Sequence, residues 1–97
     1  MDKVSRVKFD ILLNGVPAEL PKYRVYVNND LFVERTFVWD SNLHYIQENL
    51  VLVISPGQHV LRIERIPNDA NFTVRNCVVD DVPFEIDASL QTTFIVR

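Results

Sequence analysis

Oxygen-bearing side chains gather in three short segments of this sequence, each of which also has the composition of a turn. The segments are Asn28-Asn29-Asp30, Asn68-Asp69 with Asn71, and Asp80-Asp81. Calcium is a hard cation that takes carboxylate, amide and backbone carbonyl oxygens as ligands, so each segment is a candidate metal site. Asn and Asp are also the ordinary turn-forming residues, and this simpler interpretation stays open for each segment.

A calcium site built on Asp69 needs more than one acidic side chain, because affinity depends on the number of charged ligands. We therefore expect the fold to bring a second acidic residue, such as Asp80 or Asp81, close to Asp69. These three aspartates are the predicted metal ligands.

Two aromatic residues, Trp39 and Tyr45, flank the predicted turn Asp40-Ser41-Asn42. An exposed aromatic ring can stack on the face of a sugar ring, so this pair is a candidate sugar-binding platform. Trp39 is also in phase with Val33 and Phe37, a spacing that suits a core position. Both interpretations stay open for Trp39.

The sequence offers little for catalysis. His44 and His59 are the only histidines, and each stands at the start of a predicted strand, where solvated or turn-capping roles are ordinary. Cys77 lies within a predicted strand and is expected to be a small buried residue. The two glycines, Gly15 and Gly57, fall in separate turns, so no glycine-rich loop can surround a phosphate. We expect neither an enzyme nor a nucleotide-binding protein.

Apolar and polar residues alternate along most of the chain, and this period of two predicts β-strands. Asn28-Asn29-Asp30 predicts one hairpin turn, and Pro56-Gly57-Gln58 predicts a second. Residues 44–54 predict either one long strand or two, because residues 50–54 are apolar on both faces. The polar triplet Gln47-Glu48-Asn49 is a candidate bulge or bend within that stretch.

Alternation at Val82, Phe84 and Ile86, and then residues 94–96, predict short closing strands. In all, seven or eight short strands with no amphipathic helical stretch predict an all-β fold. The expected architecture is one antiparallel β-sandwich of jelly-roll type that covers residues 1–97, with at most a helical turn near residues 88–91.

Composition and charge exclude or disfavour several classes of function. A chain of 97 residues holds one core, and its net charge of -3 comes from intermixed acidic and basic residues without a polybasic run. Nucleic-acid binding is therefore disfavoured. The longest apolar run, residues 50–54, is too short to span a bilayer, and the polar start predicts no signal peptide. A single cysteine excludes an internal disulfide and fits synthesis in a reducing cytoplasm.

Several segments together resemble a known family. They are Arg24-Val25-Tyr26-Val27-Asn28-Asn29, Gly57-Gln58-His59-Val60-Leu61-Arg62-Ile63, Asn68-Asp69, Arg75-Asn76 and Val79-Asp80-Asp81-Val82. This pattern resembles the calcium-dependent xylan-binding domains, a group of carbohydrate-binding modules. The resemblance implies a jelly-roll-like sandwich that binds sugars through a calcium ion held by loop oxygens. Asn68 and Asp69 match the family's Asn-Asp loop, whereas Val74 stands where the family has an acidic residue, so weak calcium affinity is expected.

We therefore expect a non-catalytic, lectin-like domain that binds a glycan or a protein partner. The alternative is a structural or assembly domain of a virus particle, such as a phage decoration protein. Residues 50–54 also predict self-association or docking on a larger partner, because a small sandwich covers only one face of each strand.

Overall fold

The computed structural model describes residues 2–13, 21–37, 45–66 and 71–97, and within these ranges it contains eight strands. The strands are β1 Lys3–Leu13, β2 Lys22–Val27, β3 Asp30–Thr36, β4 Tyr45–Ile54, β5 Gly57–Ile66, β6 Phe72–Val79, β7 Val82–Pro83 and β8 Gln91–Val96.

The strands form two antiparallel sheets of four strands each. Sheet I has the strand order β4-β1-β6-β7, and sheet II has the order β3-β2-β5-β8. The sheets pack through a shared apolar core, so the predicted all-β fold and antiparallel sandwich are confirmed.

The core forms because each long strand turns alternate side chains inward. On β1, Val7, Phe9 and Ile11 are fully buried, and on β2 Tyr23 is buried in the same core. The ring of Tyr23 meets Phe72 of β6 edge to face, with centroids 5.7 Å apart, and thereby joins sheet II to sheet I.

The predicted hairpin at Pro56-Gly57-Gln58 is wrong. β4 pairs with β1 in sheet I, whereas β5 pairs with β2 and β8 in sheet II, so this connection crosses between the sheets. Turn residues predict a reversal of the chain but not the sheet that the next strand joins. Gly57 has a φ of 126°, a conformation that side chains disfavour.

The stretch that starts at residue 45 is one strand. β4 makes ten consecutive pairs with β1 without a register shift, so the polar triplet marks no bulge. Instead, Glu48 points into the sandwich and is buried, while Gln47 and Asn49 on either side of it are exposed.

The chain between β7 and β8 departs from regular structure. Phe84 and Ile86, which alternation places in a closing strand, lie outside the strands but pack half-buried against the core. A turn occupies residues 88 and 89, where at most a helical turn was expected. Nowhere in the described ranges is there a helix with the length and apolar character to cross a bilayer.

Candidate functional site

An open groove runs beside β6. The two-residue strand β7 pairs only with Val78 and Val79, at one end of β6. Beyond that point the irregular segment 84–90 runs near β6 in place of a strand, and the Phe84 amide donates to the Cys77 carbonyl over 3.0 Å. We call the space between β6 and this segment the β6 groove.

The β6 groove consists of two adjoining hollows of about 210 and 410 Å³, which share Val74 and Ile86 as lining residues. Its polar lining comes from three parts of the chain: Asn71, Thr73, Arg75 and Asn76 along β6 and just before it, Glu85 and Asp87 on the facing segment, and Arg65 near the end of β5. Apolar side chains alternate with these groups, so the groove offers hydrogen-bond donors, acceptors and hydrophobic contact together.

Asn76 is held in place within the groove lining. It has a φ of 57°, and its side-chain amide donates to Asp10 Oδ2 over 2.9 Å. Asp10 is itself buried and lies opposite Arg75 in the pairing of β1 with β6. This arrangement positions Asn76, and the preceding residue, Arg75, is exposed.

The other wall of the groove is ordered by local hydrogen bonds. Asp87 accepts hydrogen bonds from the hydroxyl and from the backbone amide of Ser89, the latter over 3.0 Å. The hydroxyl contact is the main reason that the pKa of Asp87 lies below its usual range. Thr92 donates its hydroxyl to the Glu85 carbonyl over 2.7 Å. The wall is therefore held by its own turn and by a contact with β8.

Tyr45 lies at the same end of sheet I as part of the groove. It is the first residue of β4, is 51% exposed, and stands opposite Leu12 of β1. Leu12 in turn stands opposite Thr73, a groove residue. Two strand spacings separate Tyr45 from Thr73, which is about 10 Å. Trp39, the other half of the predicted platform, lies outside the described residues.

Asp80 and Asp81 form the turn between β6 and β7, with φ values of 47° and 67°. Asp80 binds the backbone of Arg6 twice: its amide donates to the Arg6 carbonyl over 2.8 Å, and its Oδ1 accepts from the Arg6 amide over 2.9 Å. The second bond is the main reason that the pKa of the Asp80 carboxyl lies below its usual range.

These two aspartates do not provide a calcium site by themselves. They line a hollow of about 240 Å³ together with Arg6 and Lys8, whose positive charges oppose a bound cation. No three His, Cys, Asp or Glu side chains within the described ranges are grouped so that they could hold a metal ion. The other predicted ligand residues, Asn68 and Asp69, lie outside those ranges, so calcium binding stays a prediction.

His59 and Cys77 have structural surroundings. His59 is buried, with Nδ1 2.8 Å from Asn28 Nδ2 and Nε2 2.7 Å from the Ser55 carbonyl. An amide nitrogen only donates and a carbonyl only accepts, so the ring proton is assigned to Nε2. Of the two roles expected for His59, solvated or turn-capping, the second agrees with these contacts, because the ring binds Asn28 of the β2–β3 turn. Cys77 is buried as predicted, and burial raises its thiol pKa to about 11.

Sequence reasoning missed two features of the site region. It read Glu48 as part of a bend, although Glu48 is in phase with the inward-facing Leu50 and Leu52, a spacing that signals a buried carboxylate. It also expected a strand at Phe84 and Ile86, where the structure has a groove wall.

Comparisons of this chain with protein-family models, with curated proteins and with solved structures find no match. The resemblance to the xylan-binding domains therefore stays a prediction.

Proposed function

We propose that this chain is a non-catalytic binding domain whose ligand is a glycan. The observation that carries the proposal is the β6 groove, where charged, amide and hydroxyl side chains alternate with apolar side chains such as Val74 and Ile86. Tyr45 adds an exposed ring at the same end of sheet I.

This combination suits a carbohydrate for a physical reason. Sugar hydroxyls both donate and accept hydrogen bonds, so they pair with guanidinium, amide and carboxylate groups. The C–H faces of sugar rings are apolar and pack on side chains such as Val74 and Ile86, or on an aromatic ring. Because the groove is open along β6, it favours an extended oligosaccharide over a small enclosed ligand.

Calorimetric titration with xylan and glucan oligomers tests the proposal. Arg75→Ala removes an exposed guanidinium from the groove, and Tyr45→Ala removes the exposed ring. Each should weaken binding about tenfold, which corresponds to the loss of one polar or aromatic contact. Lys22→Ala is the matched control, because Lys22 is an exposed cation on sheet II and should leave affinity unchanged. Absence of binding to every oligomer, with or without calcium, would overturn the proposal.

The calcium part of the proposal is tested separately. If loop oxygens near Asp69 hold calcium, a chelator should weaken glycan binding, and Asp69→Ala should reproduce that loss without unfolding the chain. If neither the chelator nor Asp69→Ala changes glycan binding, calcium has no part in the function, and the proposal that the β6 groove binds the glycan is unaffected.

The second candidate is a structural component of a virus particle or a similar assembly. The observation that favours it is the exposure of Val51 and Val53 on the edge strand β4, at 60% and 67%. Association of the chain without any glycan binding would support this candidate over the first.

A further inference from the structure

Sheet edges carry unpaired backbone N–H and C=O groups that can pair with another strand. Proteins commonly protect such edges with short strands, proline, bulges, charged side chains or covering segments. In this sandwich the edge strands are β4 and β7 in sheet I, and β3 and β8 in sheet II.

Three of these edges are protected. β7 is two residues long and ends in Pro83. β3 has a register shift where it pairs with Val25 and Tyr26, and it carries several charged side chains. β8 is flanked near its start by the segment that follows β7, because the Thr92 hydroxyl donates to the Glu85 carbonyl over 2.7 Å.

Within the part of the chain that the structure describes, β4 has none of these protections. It is ten residues long, contains no proline, lysine or arginine, and pairs with β1 without a shift. Its single charged residue, Glu48, is buried inside the sandwich. The exposed side chains are therefore uncharged, and toward the end of the strand they are the valines Val51 and Val53. Among the described residues, β1 is the only strand that pairs with β4.

We propose that β4 pairs antiparallel with β4 of a second copy of this chain about a two-fold axis. The two copies of sheet I would then form one continuous sheet of eight strands. A two-fold interface sets a surface against itself, so a charged strand would repel its own copy, whereas the exposed residues of β4 do not. With the two-fold axis at Leu52, residues 50–54 of the two copies pair, and Val51 of each copy lies opposite Val53 of the other, where cross-strand apolar pairs stabilise the sheet.

The edge strand of the other sheet, β3, also favours a second copy of this chain as the partner of β4. Arg35 of β3 reaches Glu48 of β4, so β3 and β4 lie on the same side of the sandwich. β3 exposes Leu31 and Phe32, at 52% and 45%, which extends the apolar surface on this side. Two copies facing each other there would cover apolar surface from both sheets.

Sedimentation velocity across a range of protein concentrations tests this interface, independently of any glycan. The wild-type chain should be a dimer. Val51→Lys places two ammonium groups near the two-fold axis and should raise the dimer dissociation constant about a hundredfold or more. Ile95→Lys is the matched control, because Ile95 is also an exposed apolar residue on an edge strand, at 51%, and its substitution should leave the dimer intact.

Mixing two variants with opposite charges at position 51 tests whether the partner of β4 is a second copy of this chain. Val51→Lys and Val51→Glu should each be monomeric, and an equimolar mixture of the two should dimerise again. Circular dichroism confirms that each variant stays folded, and Val53→Lys replaces Val51→Lys if that variant does not fold. A monomeric wild type, or dimerisation that Val51→Lys and Val53→Lys leave unchanged, would overturn the proposal.

Discussion

Two clusters of arginine and glutamate in this protein use the same residue types, but only one of them has a buried carboxylate. In the interior, Glu48 of sheet I accepts from Arg35 Nη2 over 3.2 Å, from Arg35 Nε, and from the Tyr23 hydroxyl. On the outer face of sheet II, Arg24 lies between Glu34 at 3.2 Å and Glu64 at 3.1 Å.

Burial of the carboxylate separates the two clusters. The Glu48 side chain is 3% exposed, whereas Glu34 and Glu64 are 46% and 37% exposed. The arginines differ little, with Arg35 at 48% and Arg24 at 37%. A buried carboxylate depends on its protein partners because water cannot replace them, while water and salt screen exposed pairs. The interior cluster also joins two sheets, and the outer one connects strands that are already paired.

Protonation in the interior cluster follows from the same burial. The pKa of Tyr23 lies far above its ordinary value, first because the hydroxyl is buried and then because it donates to Glu48. The pKa of Arg35 is raised chiefly by its hydrogen bond to Glu48. Both groups therefore remain donors to the carboxylate at neutral pH.

The largest expected effect is that of Glu48→Ala. It leaves the buried Tyr23 hydroxyl without its acceptor and removes the carboxylate that Arg35 binds, whereas the half-exposed Arg35 can turn to water, so the free energy of unfolding should fall by about 3 kcal/mol. Urea denaturation measures this loss. Glu48→Gln keeps an acceptor oxygen and should lose less. A loss below about 1 kcal/mol for Glu48→Ala would remove the distinction between the clusters.

Tyr23→Phe should have the next largest effect. It removes one hydrogen bond to a buried charged group, which costs about 2 kcal/mol, while Arg35 still satisfies the carboxylate. Tyr26→Phe is the control on the outer face, because the Tyr26 hydroxyl makes only a 3.4 Å contact with Glu64. If urea denaturation shows that Tyr23→Phe and Tyr26→Phe lower the free energy of unfolding equally, the contrast between the two clusters is wrong.

Asp80 extends the comparison to an exposed carboxylate with one specific partner. Its folded pKa is lowered, so the ionised form stabilises the protein above the ordinary carboxyl pKa, and this contribution is lost as pH falls through the folded pKa. Asp80→Asn keeps an acceptor for the Arg6 amide and tolerates positive φ but cannot titrate. Its thermal midpoint should therefore fall less than that of the wild type on acidification below about pH 4. An identical acid dependence would exclude a contribution from Asp80.

The smallest effect is expected for Glu34→Gln on the outer face. Arg24 keeps Glu64 as a partner, and water solvates both groups, so the urea midpoint should hardly move. Added salt should narrow the remaining difference between Glu34→Gln and the wild type. A loss as large as that of Glu48→Ala would show that exposure does not decide the strength of these clusters.

The sequence by itself determined the strands and the local turns of this protein. Alternation places Val7, Phe9 and Ile11 in the core, because each second side chain of a strand faces the same side. Asn28 and Asn29 adopt φ values of 52° and 69°, as a two-residue hairpin requires, and asparagine tolerates this conformation better than most residues.

Only the tertiary structure decided which strands pair and what each polar residue meets. The chain crosses between sheets after β4, although the turn residues there suit a hairpin equally well. Glu48 became an inter-sheet contact because Tyr23 and Arg35 approach it from sheet II. The β6 groove exists because β7 ends after two residues, and β4 is an edge because no other described strand packs beside it. Alternation encodes the inward face of each strand, whereas strand partners depend on contacts between residues distant in the chain.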